Sequence, residues 1–205
     1  ILMFTQSRGS WMGAILMSVP FILLSPKRLF FIIGAILLII VLPFVAPESS
    51  KKRFTGTFRP DPFFERTERL MGLGLDPSAS ERVGGYKQGF EKWGKHPLFG
   101  YGVTGAGFID GQFLRVLVET GIIGLAFFLF LLWRMVLFLW DTYWSIDDPF
   151  FKALSLGMLG ALAGLIGHGV SANSFIIVRI MEPFWFLLGL IAAYPLLGAE
   201  QTRDE

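Results

Sequence analysis

Gly121-Ile122-Ile123-Gly124-Leu125-Ala126-Phe127-Phe128-Leu129-Phe130-Leu131-Leu132-Trp133-Arg134-Met135-Val136-Leu137-Phe138-Leu139-Trp140 decides the fold, because Arg134 is its sole charge. Crossing a bilayer core of about 30 Å takes about 20 residues of helix, so this run is long enough to span. Working outward, four more apolar blocks follow the same rule. The spans are expected at 7–24, 29–46, 121–140, 150–167 and 183–197, with a polar tail at 199–205. A large external loop, 47–120, interrupts them. The fold class is therefore an all-α polytopic membrane protein with about five transmembrane helices.

Composition agrees. The chain has 205 residues, 53% of them hydrophobic and 17% charged, against about 45–50% and about 25% in soluble domains. The charges crowd between Glu48 and Glu119. Cysteine is absent, and the two histidines, His96 and His168, make a histidine-rich metal centre an unlikely design. No cofactor is expected. A net charge of +2 without a basic, aromatic-interleaved stripe argues against a nucleic-acid partner. The chain opens at Ile1 inside the apolar run 1–4, without the basic n-region and cleavage site of a signal peptide. We read that run as the tail of an earlier transmembrane helix, which leaves part of the fold upstream.

Short loops set orientation. Lys27-Arg28 lies in the tightest one and should be cytoplasmic, which places 47–118 outside, 141–149 inside, 169–182 outside and the tail inside. Asp141, Asp147 and Asp148 outnumber the cations of the inner loop, but acidic residues count little in this rule. Trp11, Trp133, Trp140, Trp144, Trp185 and Tyr194 fall near span ends, as an aromatic belt requires. Within the external segment, 47–62 combines prolines with Lys51-Lys52-Arg53 and reads as an extended loop. Residues 63–71 and 82–93 read as short amphipathic helices. The second carries Val83, Tyr86, Phe90 and Trp93 at helical spacing, with Ser78 or Ser80 as its cap. Residues 113–118 lead straight into the third span.

A charge at membrane depth costs roughly 2.5–3.5 kcal/mol on insertion scales, so those that persist call for a function. Arg8, Arg82, His168 and Arg179 all fall on the outer side. Arg8 sits in the polar knot Thr5-Gln6-Ser7-Arg8-Gly9. It is either a snorkelling turn residue or a guanidinium fork for a phosphate. Arg82 opens the second amphipathic helix, and alone reads as a solvated charge. His168, between Gly167 and Gly169, is either a helix-end histidine bonded to a carbonyl or a base for a hydroxyl nucleophile. The glycines on both sides would let the backbone turn there. Arg179 with Glu182 reads as an interfacial ion pair. Gly100-Tyr101-Gly102-Val103-Thr104-Gly105 has dinucleotide-binding spacing but lacks the βαβ setting, and reads as a tight external loop.

In order, these pieces resemble the O-antigen ligase/polymerase family. Thr5-Gln6-Ser7-Arg8-Gly9 is similar to its T-x-S-R-G segment. Glu81-Arg82 with Gly89-Phe90-Glu91-Lys92-Trp93 resembles its arginine-led external helix. Lys95-His96-Pro97-Leu98-Phe99-Gly100-Tyr101-Gly102 matches the following h-P-l-x-G-x-G element. The run Asp110 to Gly121 matches the one ending in L-x-E-x-G. His168 falls where the family carries an outer histidine. Asp110-Gly111 departs from the H-N of many members.

The resemblance implies a GT-C-like helical bundle in the bacterial inner membrane, with its active site facing the periplasm. It implies metal-independent, inverting transfer of a glycan from undecaprenyl diphosphate to a hydroxyl of lipid A-core or of another lipid-linked glycan. Carried over residue by residue, it puts Arg8 and Arg82 on the diphosphate and His168 near the acceptor as the catalytic pair with Arg82. Asp110 and Glu119 stand as alternative carboxylate bases. A transporter or flippase is the rival reading, but it would carry ionisable groups near mid-span, where this chain has Arg134 alone. A structural scaffold is the third, and gives no reason for external arginines beside this motif order.

Overall fold

The computed structural model describes residues 8–45, 69–70, 73–74 and 77–201. It is helical apart from one short antiparallel pairing. Helix α1 is Arg8–Leu24 and α2 is Arg28–Val45. Strands β1 (Arg69–Leu70) and β2 (Leu73–Gly74) pair in a tiny hairpin. Helix α3 is Pro77–Lys95, α4 is Gln112–Ser145, α5 is Pro149–Gly169 and α6 is Val178–Gln201, with a 3-10 turn at Ser174–Ile176 before α6.

Two of these helices, α4 and α5, are long and apolar enough to cross a membrane, whereas Gly9–Leu24 and Arg28–Leu37 are shorter apolar segments. Phe127, Phe130, Trp133, Leu29, Phe30 and Phe186 all point outward. Apolar surface on that scale marks a helical membrane-type protein rather than one built for water.

Helix α1 lies mainly on α5. A Cβ at Gly13 would sit 3.0 Å from the Gly164 carbonyl oxygen, and one at Gly160 would sit 3.2 Å from that of Met17. The missing side chains let the two backbones nearly touch, so dispersion does the packing where the hydrophobic effect is absent. Leu132, Met135 and Leu139 of α4 join Leu159 and Leu162 of α5 and Met181, Phe184 and Ile191 of α6 in the main core. At one end, Tyr143 Oη donates to the Leu24 carbonyl at 2.7 Å, and the Phe151 and Tyr194 rings lie 4.4 Å apart. Lys27-Arg28 belongs to this end. Asp148 caps α5 here, accepting from Phe150 N at 2.9 Å and Phe151 N at 3.0 Å. One of the inner-loop acids therefore has a local capping duty.

Several expectations need correction. The helix expected at 82–93 starts earlier, at Pro77, so Ser78 and Ser80 lie inside it rather than at its start. Proline's fixed φ suits the first helical position. Its packed face is Tyr86, Gly89 and Trp93, while Phe90 is exposed. The expected helix 63–71 lies mostly outside the described residues, and Arg69–Leu70 form a strand instead. The segment 47–62 also lies outside them. The helix carrying the third span begins at Gln112, within the expected loop, and runs on to Ser145.

That early start creates a break at Gly121, which adopts φ 69° and ψ −171°. A break within a helix orphans carbonyls on one side and N–H groups on the other. Residues 97–104 satisfy both sides. Tyr101 N donates to the Val118 carbonyl at 3.0 Å and Gly102 N to that of Glu119 at 2.8 Å. Ile122 N donates to the Pro97 carbonyl at 2.9 Å and Ile123 N to that of Leu98 at 3.5 Å. The Glu119 carboxylate, 7% exposed, accepts from Thr104 N at 3.1 Å and Arg115 Nε at 3.0 Å. Only glycine fits at the break, since a Cβ on Gly121 would overlap the Leu98 carbonyl. The glycine-rich stretch 100–105 is thus the tight loop its spacing suggested, and it plugs the long helix.

Candidate functional site

The other end of α1 begins the site. Gly9 packs against Ser171 and His168, so close that a Cβ there would meet the Ser171 hydroxyl. The backbone of Arg8 opens the helix at this point. The Arg8 side chain and residues 5–7 lie outside the described residues. His168 lies in the last turn of α5, and its carbonyl accepts from Ser171 N at 3.0 Å and Ala172 N at 3.1 Å. Gly167 and Gly169 do not turn the chain, contrary to expectation. Both are helical and buried, Gly167 against Met12 and Leu16 and Gly169 against Gln112 and Phe113. The chain turns after them, from Val170 to Asn173.

Side chains hold this turn. His168 Nδ1 lies 2.5 Å from Ser174 Oγ, and Ser174 is fully buried. Asn173 Nδ2 donates to the Ile109 carbonyl at 2.8 Å. Phe175 N donates to Gln112 Oε1 at 3.2 Å. The Tyr86 phenol, from α3, donates to the Val170 carbonyl. Gly111 sits beneath that contact at φ 92°, where a Cβ would lie 2.9 Å from Tyr86 Oη and 3.1 Å from Val170 O. Glycine at this position therefore suits the close approach of α3 to the turn.

Two hollows flank this end of α5. One is a polar cleft of about 650 Å³ between α3, the 108–110 loop and Val170-Ser171, lined by Arg82, Tyr86, Gln88, Lys92 and Asp110. The other is a groove of about 550 Å³ among α1, α5 and α6, lined by Met17, Met158, Leu165, Phe184 and Leu187, with His168 at its polar end. In the cleft, burial holds the Tyr86 phenol above its ordinary pKa of 10.0. The Asp110 carboxylate pushes it the same way, and the Arg82 guanidinium pulls it back.

Arg82 and Asp110 thus share the cleft although they come from elements far apart in sequence, while His168 lines the groove, packed near the start of α1. Glu119 lies in the plug rather than in either hollow, bonded to Arg115. Arg179 is exposed in the first turn of α6, lines neither hollow, and is not paired with Glu182. Among the described residues no group of three His, Asp or Glu side chains gathers as metal ligands would. Sequence reasoning placed Tyr86 on an apolar stripe and passed over Ser174, Asn173 and Gln112. These are single polar residues with no periodic signal, and only their partners reveal them.

No curated protein and no solved structure matches the chain. A family model does, that of the O-antigen ligase, over residues 1–129. The match runs from the T-x-S-R-G segment through the external helix and the plug to the break at Gly121 and the start of the long span. It covers more than half of the chain, which therefore belongs to the O-antigen ligase family and, with it, to glycan transfer of that general type.

Proposed function

We propose that the chain carries the core of a site that transfers a glycan from undecaprenyl diphosphate to a hydroxyl acceptor, lipid A-core or another lipid-linked glycan. The setting is the periplasmic face of the bacterial inner membrane. In this reading α1, α2, the 122–145 part of α4, α5 and α6 are the five spans of a GT-C-like bundle. One observation carries it: a cleft with a guanidinium and an apolar groove with a histidine flank the same end of α5. An amphiphile with a diphosphate head needs that combination.

The chemistry follows. A lipid diphosphate is a good leaving group, so positive charge aimed at it supplies much of the stabilisation. Arg82 from α3 and Arg8 from the start of α1 take that role. The acceptor hydroxyl attacks the anomeric carbon from the face opposite the diphosphate. The C1–O bond to phosphate breaks, the configuration inverts, and the electron pair leaves with the diphosphate. The hydroxyl proton passes to His168. With Nδ1 engaged by Ser174, Nε2 is the nitrogen that receives it. No step in this scheme is routed through a metal.

The test uses the full-length protein in cells lacking their own ligase, with lipopolysaccharide read on a gel. Wild type should restore a long-chain ladder, while His168→Ala and Arg82→Ala insert normally and give none. Full activity in either variant removes that residue from the mechanism. No ladder from well-expressed wild type would point to a polymerase or a different acceptor. Transfer of labelled glycan in proteoliposomes separates the enzyme from a transporter.

A further inference from the structure

Phe108 is 84% exposed, yet both of its flanks are fixed. Ala106 and Ile109 are buried in the small external core with Leu114, Leu117 and Val118. Lys92 Nζ donates to the Ala106 carbonyl at 2.7 Å, and Asn173 Nδ2 holds the Ile109 carbonyl. The benzyl group is therefore held out on a braced loop, at the rim of the polar cleft. A single exposed ring needs no explanation by itself; what sets Phe108 apart is that it is braced at the mouth of a cleft with polar groups. Around it stand hydrogen-bonding groups of both senses: Arg82, Lys92 and Gln88 as donors, Asp110 and the Gln88 carbonyl as acceptors.

An aromatic face beside mixed donors and acceptors fits one ligand chemistry well. A pyranose ring presents a face of C–H groups, slightly positive and apolar, which matches the negative face of a phenyl ring. Its rim of hydroxyls both donates and accepts. A bare phosphate would want the cations and gain nothing from the ring. A lipid chain would leave the polar groups of the lining without partners. We propose that Phe108 is a stacking platform for one sugar ring of a glycan substrate, with Gln88 and Asp110 reading its hydroxyls. The proposal rests on the transferase reading for its substrate class, but locates a subsite that reading did not contain.

The test is sugar binding apart from turnover. The full-length protein in nanodiscs is mixed with methyl glycosides of galactose, rhamnose and N-acetylglucosamine, and saturation-transfer NMR reads which ring protons touch protein. Wild type should saturate the C–H face of at least one glycoside. Phe108→Ala should weaken that signal by about threefold to tenfold, the scale of a lost aromatic contact. Phe108→Trp should keep it. In the transfer assay Phe108→Ala should raise KM for a glycan substrate more than it lowers kcat. Equal saturation in wild type and Phe108→Ala, or no saturation in wild type, overturns the platform. Full transfer by His168→Ala with the binding pattern intact overturns the mechanism instead and leaves the platform standing.

Discussion

The helical path stops twice near the site, at Gly121 and again after Gly169, and the two stops are closed in different ways. The first is closed by backbone: four main-chain hydrogen bonds from 97–102 meet the orphaned groups on either side. The second meets its helix-end carbonyls with backbone too, Ser171 N and Ala172 N on His168 O, but its turn is then tied down by the side chains of Ser174, Asn173, Gln112 and Tyr86. Main-chain bonds do not depend on residue type, so the first stop is architecture that tolerates substitution except where a Cβ cannot fit. Side-chain closure can be altered one group at a time, and it is the side-chain stop that carries His168.

This contrast can be broken by mutation. The largest effect should come from Gly121→Ala. Its backbone conformation is one that essentially only glycine adopts, and the new Cβ would overlap the Leu98 carbonyl. A loss of about 3 kcal/mol or more is expected, read as a collapse in the yield of detergent-stable protein. Near-normal thermal stability would show that the backbone closure can be re-formed, and would erase the distinction.

Ser174→Ala should behave oppositely, leaving the fold intact and lowering kcat about tenfold, the scale of a lost hydrogen bond to a charged group. Nδ1–H can donate to the hydroxyl whether the imidazole is neutral or charged, so the ring need not rotate during turnover. Ser174→Thr, which keeps the hydroxyl, should recover part of the rate. The melting temperature of Ser174→Ala should stay near that of wild type. A rate loss that comes with an equal loss of stability would assign the serine to packing alone.

The smallest effect belongs to Tyr86→Phe, which removes the hydrogen bond to the Val170 carbonyl at a cost of about 1 kcal/mol. Its pH dependence sharpens the assignment. The folded-state pKa of Tyr86 is raised, so its contribution is fully present below the unfolded value of about 10 and is lost as pH rises through the folded one. Wild type should lose more stability than Tyr86→Phe on titration above pH about 10. Parallel melting curves for the two proteins would mean the phenol is not the titrating group.

Much of this architecture was legible in the sequence, because apolar runs and motif order are signals spread over many residues. The expected start at Ser7 and the observed start at Arg8 differ by one position, and the 150–167 block became Pro149–Gly169. The break at Gly121 was not legible. The expected span began at that residue, and nothing in the apolar run says that the helix starts nine residues earlier, with Arg115 and Glu119 one turn apart on its face. The site was half legible. Arg82, Asp110 and His168 stood out as polar residues in telling places; the first two share the cleft, and His168 lies in the groove. Arg179 stood out for the same reason and lies elsewhere, exposed in the first turn of α6. Ser174 and Asn173 look like any loop residues until their distant partners are known.

The plug has a consequence for how the protein is made. Residues 97–102 leave the ribosome before Gly121 does, so the acceptors and donors that the broken helix needs already exist when it emerges. The same holds at the second stop, where Tyr86, Ile109 and Gln112 all precede the turn they secure. Each interruption thus closes on chain already synthesised. The growing polypeptide can cover the polar groups of both breaks before α6 is made.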